Sequence, residues 1–304
     1  MMHRTNSLLA AITAAVTLTA CTTKESKPAD TTAVDTGAAA NATASTAAPN
    51  EVTITASEYK FDAPDSIPAG MTTFKLVNNG KQPHHASLFR LTEGHTYNDA
   101  MAGMRTMKPI EPPPSWIVPA GGPNAADPGG SSNATVNLEP GNYMFVCFIP
   151  DPKGAPHFTH GMTKGLTVTP ATTVSAPAPT PDITVTLSDY KFDWSTPLTA
   201  GTHTIGVTTA AGGQPHEIQV FRLAPGKTQA DLQGWLEQMM TGKPSSGPPP
   251  ASALGGIAAI GTGQTEYFTG DFPAGDYVVM CFLDDAKDHK PHFIHGMIQT
   301  IKVT

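Results

Sequence analysis

The chain has 304 residues, only 14% of them charged, and a formal net charge of −7 with its 11 histidines neutral. That mild acidity excludes a nucleic-acid partner, which would select a basic face. The 28 glycines and 29 prolines point to many turns and short strands rather than helices, and the length accommodates two domains of ordinary size.

In chain order, residues 1–20 read as a signal segment. Arg4 supplies a positive start, and Leu8 to Leu18 form an apolar stretch broken by threonine, too short for the roughly 20 apolar residues of a membrane-spanning helix. Leu18-Thr19-Ala20-Cys21 resembles the lipobox of bacterial lipoproteins, which implies cleavage before Cys21 and lipidation of that residue. An ordinary secretory signal with an incidental cysteine is the alternative. Either reading places the mature chain outside the cytoplasm. The lipobox implies a cell-envelope protein, held by its lipid on a periplasmic or extracellular face. Thr22 after Cys21 favours the outer membrane of a cell that has two. Residues 21–50 show no periodicity and, after Cys21, no apolar side chain larger than Val, so they read as a disordered tether.

Self-similarity organises the remainder. SEYKFD at 57–62 returns as SDYKFD at 188–193, and QPHHASLFRL at 82–91 as QPHEIQVFRL at 214–223. LEPGNYMFVCF at 138–148 returns as FPAGDYVVMCF at 272–282, and APHFTHGM at 155–162 as KPHFIHGM at 290–297. The offset drifts only from 131 (188 less 57) to 135 (290 less 155) residues. This predicts a tandem duplication, with a first domain at 51–170, a Pro-rich linker at 171–181 and a second domain at 182–304.

Within each copy, EVTITASEYKF and ITVTLSDYKF alternate apolar and polar residues as half-buried strands do. TTFKLVNNG and HTIGVTTAAGG, HHASLFRL and HEIQVFRL, NYMFVCF and DYVVMCF, and the closing GLTVTP and IQTIKVT read as further strands bounded by turn residues. One helix interrupts each copy, over 96–107 and 228–240, and a Pro-rich loop (EPPPSW, SGPPPAS) follows it. The expected fold class is all-β, two tandem β-sandwiches, each with a short helical and Pro-rich insertion. Met101, Met104, Met107, Met239 and Met240 lie on the helices, where their spacing favours packing over metal binding.

Four residue types recur in register: His84, Cys147, His157 and Met162, then His216, Cys281, His292 and Met297. The spacings are C-x9-H-x4-M and C-x10-H-x4-M. Two imidazoles and a thiolate in a trigonal plane, with a weak axial thioether, suit copper cycling between Cu(I) and Cu(II). Zinc accepts a similar set, but a thioether is a poor zinc ligand. The alternative for the cysteines is a Cys147–Cys281 disulfide in an oxidising compartment.

With these residues each copy resembles a cupredoxin, the small blue-copper fold of plastocyanin and azurin. Pro83-His84 and Pro215-His216, each leading into a strand, and the late Cys…His-x4-Met loop carry the likeness over 51–170 and 182–304. It implies Greek-key β-sandwiches and a type 1 copper site in each domain, two ions in all. The nine or ten residues between Cys and His exceed the plastocyanin spacing. His85 becomes Glu217 in the second copy, which favours His84 as the ligand. His160 and His295 are repeated and read as outer hydrogen-bond donors, alternative ligands or exposed loop histidines.

A type 1 site with every position filled has no open place for substrate. The resemblance therefore implies electron transfer with a transient redox partner protein, such as a cytochrome or an oxidase, with a non-redox copper carrier or store as the alternative. Two-domain copper oxidases and nitrite reductases join the site cysteine directly to a histidine of a second copper centre. Here Phe148 and Phe282 follow the cysteines and no His-x-His pair occurs, so the chain is expected not to be an enzyme. His157 and His292 are expected near the surface beside Pro156 and Phe158, within an apolar rim that docks the partner.

Overall fold

The structure, a computed structural model, describes residues 48–106, 113–242 and 247–304. The signal segment, Cys21, the tether up to residue 47, and Met107 lie outside the described residues.

The first half runs β1 (Asn50–Ser57), β2 (Lys60–Asp62), β3 (Ser66–Pro68), β4 (Gly70–Asn78), β5 (Ser87–Leu91), α1 (Tyr97–Thr106), β6 (Ile117–Pro119), β7 (Ser131–Leu138), β8 (Gly141–Val146) and β9 (Thr163–Thr169). The second runs β10 (Ile183–Ser188), β11 (Lys191–Trp194), β12 (Gly201–Thr209), β13 (His216–Leu223), α2 (Gln229–Met240), β14 (Ala251–Ile260), β15 (Thr265–Phe272), β16 (Gly275–Met280) and β17 (Ile298–Val303). A single 3-10 turn precedes the last strand of each half, at His157–His160 and His292–His295.

Sequence alternation accounts for the strands. Val52, Ile54 and Ala56 of β1, and Ile183, Val185 and Leu187 of β10, face inward while their neighbours stay exposed or half-buried, the period of a sheet with one wet face. In the first half a sheet of order β3-β9-β8-β5-β6 faces β7-β4-β1-β2. Phe74, Leu76, Leu88 and Phe145 fill the space between them. In the second half β14-β13-β16-β17 faces β11-β10-β12-β15, around Val185, Ile205, Val220 and Phe268. Each such side chain contributes about 1.5–3 kcal/mol on full burial.

Both helices start at Thr-x-x-Asp. Thr228 and Asp231 exchange side-chain and backbone hydrogen bonds, and Thr96 and Asp99 do the same, satisfying amides that a helix start leaves open. The helices pack on the outer sheets. Ala100, with half-buried Met104, joins Phe89 and Met144; Leu232 and Leu236, with half-buried Met239, join Phe221 and Met280.

The two inner sheets meet. β15 pairs with β7 at Tyr267 and Thr135, so one eight-stranded sheet, β11-β10-β12-β15-β7-β4-β1-β2, runs through both halves. Asn133 extends the seam with its side chain, donating to Thr269 O at 2.7 Å and accepting from Thr269 N at 2.9 Å. Residues 120–126 also lie along β14, with Gly121 N–Ala259 O at 2.8 Å, Ala258 N–Gly122 O at 2.9 Å and Gly255 N–Ala125 O at 3.0 Å. A sequence read as two domains on a Pro-rich linker does not anticipate this junction.

Candidate metal centres

Each centre sits at one end of two adjacent strands of an outer sheet, β5 beside β8 and β13 beside β16. His84 lies just ahead of β5, bridged to Ala126, and His216 opens β13. Cys147 and Cys281 follow the last residues of β8 and β16. The chain then loops out and returns in the 3-10 turn that begins with the next histidine. Gly161 and Gly296 end these turns at φ 101° and 103°, a left-handed conformation that a side chain would strain. Met162 and Met297 come next.

Backbone bonds lace the loop shut. Cys147 N donates to Met162 O (3.2 Å), Met162 N to His157 O (3.2 Å) and Phe158 N to Cys147 O (2.9 Å). The same three bonds join Cys281, Met297, His292 and Phe293 at 3.0–3.2 Å. The longer second loop places its extra residue at the tip, since Pro150 bridges Pro156 but Asp284 bridges Pro291. The laced base is unchanged.

The first centre brings together His84, Cys147 and His157, all buried. Nδ1 of His84 lies 3.1 Å from Nδ1 of His157, and Cys147 Sγ lies 4.0 and 3.5 Å from the two nitrogens. The second brings together His216, Cys281 and His292, with Nδ1–Nδ1 at 3.1 Å and Cys281 Sγ 3.4 Å from His292 Nδ1. Metal bonds of about 2.0–2.1 Å to nitrogen and 2.3 Å to sulfur would set such donors about 3.3–3.8 Å apart in a tetrahedral or trigonal site. The donor sets fit one ion each. Met162 and Met297 are fully buried and tied by backbone to the cysteine and histidine of their own set. The two cysteines are buried and unbridged, each inside its own triad, so the disulfide alternative is not realised.

Electrostatics suit a cation. Burial holds His84 and His292 down to about 4, with the neighbouring imidazole adding to the effect. Burial likewise lowers His157 and His216, although Asp151 and Asp189 oppose it. All four rings are thus neutral with a lone pair available near neutral pH. Burial pushes the Cys147 thiol up to about 12 and raises Cys281 as well, so a thiolate there requires a positive charge beside it.

The remaining candidates sit outside the triads. His85 Nε2 accepts from Phe148 N at 2.8 Å, and Glu217, its counterpart, accepts from Phe282 N at 2.9 Å. Both therefore hold the amide that follows the cysteine. Burial pushes Glu217 up to about 7 and His85 down to about 4, the latter opposed by a side-chain hydrogen bond to Asn124. Asn124 Nδ2 also lies 3.4 Å from Glu217 Oε2, so one buried amide touches the polar neighbour of each centre. His160 bonds Asp151 at 3.1 Å and lies over Tyr59. His295 bonds Asp288 at 3.0 Å and lies over Tyr190. Met101 Sδ accepts from Thr163 at 3.5 Å, and Met240 is exposed.

His157 and His292 are 0% and 1% exposed, not near the surface as expected, because the laced loop closes over them. The apolar rim is present without them: Phe148 and Ile294 are 41% and 43% exposed, and Phe148 packs edge-on against Phe89 and Phe158.

Sequence reading missed the outer partners of the histidines. Gln82 Oε1 lies 3.3 Å from His157 Nε2, and Asp189 Oδ1 lies 3.0 Å from His216 Nε2. Their signal was in view, since Glu58/Asp189 and Gln82/Gln214 recur inside the repeated phrases.

No family model and no curated protein matches the chain. Solved structures do. A dithionite-reduced auracyanin from the photosynthetic bacterium Roseiflexus castenholzii is 24% identical, covering 41% of this chain and 100% of its own, with a TM-score of 0.27. A Cu-containing nitrite reductase from Thermus scotoductus SA-01 is 11% identical, covering 84% of this chain and 62% of its own, with a TM-score of 0.23. A multicopper oxidase is 12% identical, covering 84% and 88%, with a TM-score of 0.22. Two of these three carry the names of enzymes. That overturns the expectation, drawn from the residues after each cysteine, that this chain is not an enzyme.

Proposed function

We propose that the chain transfers electrons through two copper centres, one in each half. The ligands are His84, Cys147, His157 and Met162 in the first, and His216, Cys281, His292 and Met297 in the second. The observation that carries this reading is the pair of buried His-Cys-His sets at matching places and spacings, 3.1 Å between imidazole nitrogens in both.

The chain supplies a dry, preorganised cage. Histidines held neutral by burial present their Nδ1 lone pairs, and the laced loop fixes cysteine, histidine and methionine in one frame. A closed set of soft and borderline donors suits both Cu(I) and Cu(II), and copper, when bound, supplies the one-electron change between them. Water exclusion and a rigid frame keep reorganisation small. Phe148 with Phe89 and Phe158, and Ile294 in the second half, form apolar rims for brief docking of a redox protein. Cys21 anchors the chain by lipid to the cell envelope in this reading.

Loading the purified chain with Cu(II) and recording metal content, visible spectrum and redox response tests the proposal. Two coppers with an intense thiolate-to-copper band and reversible reduction are expected. Tight Cu(I) binding without that band would instead make the protein a copper carrier or store, and no copper uptake would overturn the centres themselves.

A further inference from the structure

The two triads match, but the groups behind them do not. In the second centre Asp189 Oδ1 sits 3.0 Å from His216 Nε2. In the first, the corresponding acid is Glu58, and it accepts from Lys81 N instead. Gly80 explains part of this: a Cβ there would meet His84 Nε2 at 2.7 Å and Glu58 Oε1 at 2.9 Å, so main chain is packed against the edge of the imidazole. His84 Nε2 is buried with no hydrogen-bond partner among the described residues.

The other histidines show the reverse. His157 Nε2 meets the neutral amide oxygen of Gln82 at 3.3 Å. Gln214, the counterpart of Gln82, is drawn away: it donates to Asp285 Oδ2 at 2.8 Å and accepts from Ala286 N at 2.6 Å. His292 Nε2 is then the one left without a partner. Each centre therefore has one histidine whose Nε2 proton is held, which leaves Nδ1 as the free lone pair. In the first centre the holder is an uncharged amide, and in the second it is a carboxylate.

We propose that Asp189 makes the two centres unequal, the second favouring Cu(II) over Cu(I) more strongly than the first, so that one chain carries a low-potential and a high-potential centre. The inference rests on the copper reading above. An Nε2–H donating to a carboxylate gives the ring more negative charge, and that charge reaches the metal through Nδ1 as stronger donation. Stronger donation stabilises the doubly charged ion more than the singly charged one. Asp189 is a positioning residue, acting through His216.

The test measures Cu(I) and Cu(II) affinities of each centre by competition with chelators, for the wild-type chain, Asp189→Asn and Gln82→Glu. Asp189→Asn keeps the volume and an acceptor oxygen but removes the charge. It is expected to weaken Cu(II) binding at one centre on the order of 10-fold, with Cu(I) binding nearly unchanged and the other centre untouched. Gln82→Glu is expected to strengthen Cu(II) binding at the opposite centre. Equal losses of Cu(I) and Cu(II) affinity in Asp189→Asn would show a merely structural role and overturn the inference while leaving the copper reading intact. Identical Cu(II)/Cu(I) affinity ratios at both wild-type centres would overturn it too. Absence of copper binding in the wild-type chain would overturn the copper reading and this inference together.

Discussion

Replacing Asn124 by leucine tests whether the halves behave as one folding unit. Asn124 is 3% exposed at the junction. Its Nδ2 faces Glu217 Oε2, Ile218 O and Ile257 O at 3.3–3.4 Å, all in the second half. Two N–H bonds can serve at most two of these three acceptors at a time, so the substitution removes two buried hydrogen bonds across the junction. Leucine keeps the branched four-atom outline of the side chain and opens no cavity. At about 1–1.5 kcal/mol per bond the expected loss is roughly 2–3 kcal/mol, a sizeable part of the stability of a typical domain. Urea unfolding of the metal-free chain, followed by circular dichroism and by tryptophan fluorescence, reads this directly. Trp116 reports on the first half, Trp194 and Trp235 on the second. The wild-type chain is expected to unfold in one transition with coincident probes, and Asn124→Leu at a lower urea midpoint. A change below about 0.5 kcal/mol, which is within the range of surface substitutions, would refute the reasoning. So would wild-type curves that already resolve into two steps.

Further outcomes follow from other residues. Cys147→Ser is expected to remove one copper per chain and leave the spectrum of the other centre, as metal analysis and absorption would show; loss of both would mean the centres are not separable. Glu266 is buried at the junction, accepting from Gly122 N at 3.3 Å, and burial raises it well above its ordinary 4.5. It stays protonated when folded while the unfolded chain ionises. Its contribution is complete below about pH 4.5 and falls by about 1.4 kcal/mol per pH unit on the way up to its folded pKa. Glu266→Gln is therefore expected to flatten the fall of stability as the pH rises above about 4.5, and parallel wild-type and variant curves would contradict this. Gly122 holds φ 92°, and a Cβ there would meet Ala86 O at 2.4 Å. Gly122→Ala is expected to destabilise by more than the ~1 kcal/mol that such a replacement gains at a compatible site, read as a lower thermal midpoint.

Much of the fold was legible because the chain states it twice. Alternation in EVTITASEYKF and ITVTLSDYKF marks strands whose inward faces are the two cores. The two histidines and the cysteine of each centre could be named from the repeated register, since the cysteine and the second histidine fall in one loop and the early histidine stands at the head of a repeated strand. Their convergence to 3.1–4.0 Å is a tertiary fact, because it depends on how β5 and β8 pair in one sheet.

The sequence by itself determined the all-β class, the two equivalent halves and the candidate donor residues, because local period and repeated register are written along the chain. Tertiary structure decided what is not local. The seam between β7 and β15, and the lacing of 120–126 onto β14, join segments more than 100 residues apart largely through backbone groups, which carry no side-chain signature. The burial of His157 follows from a loop folding back on Cys147. The partners behind the imidazoles turn on where a glutamine or a carboxylate finds its nearest free donor. Glu58 and Asp189 differ by one methylene and occupy matching positions, yet only Asp189 hydrogen-bonds a histidine ring; Glu58 is taken by Lys81 N, with Gly80 packed between it and the imidazole.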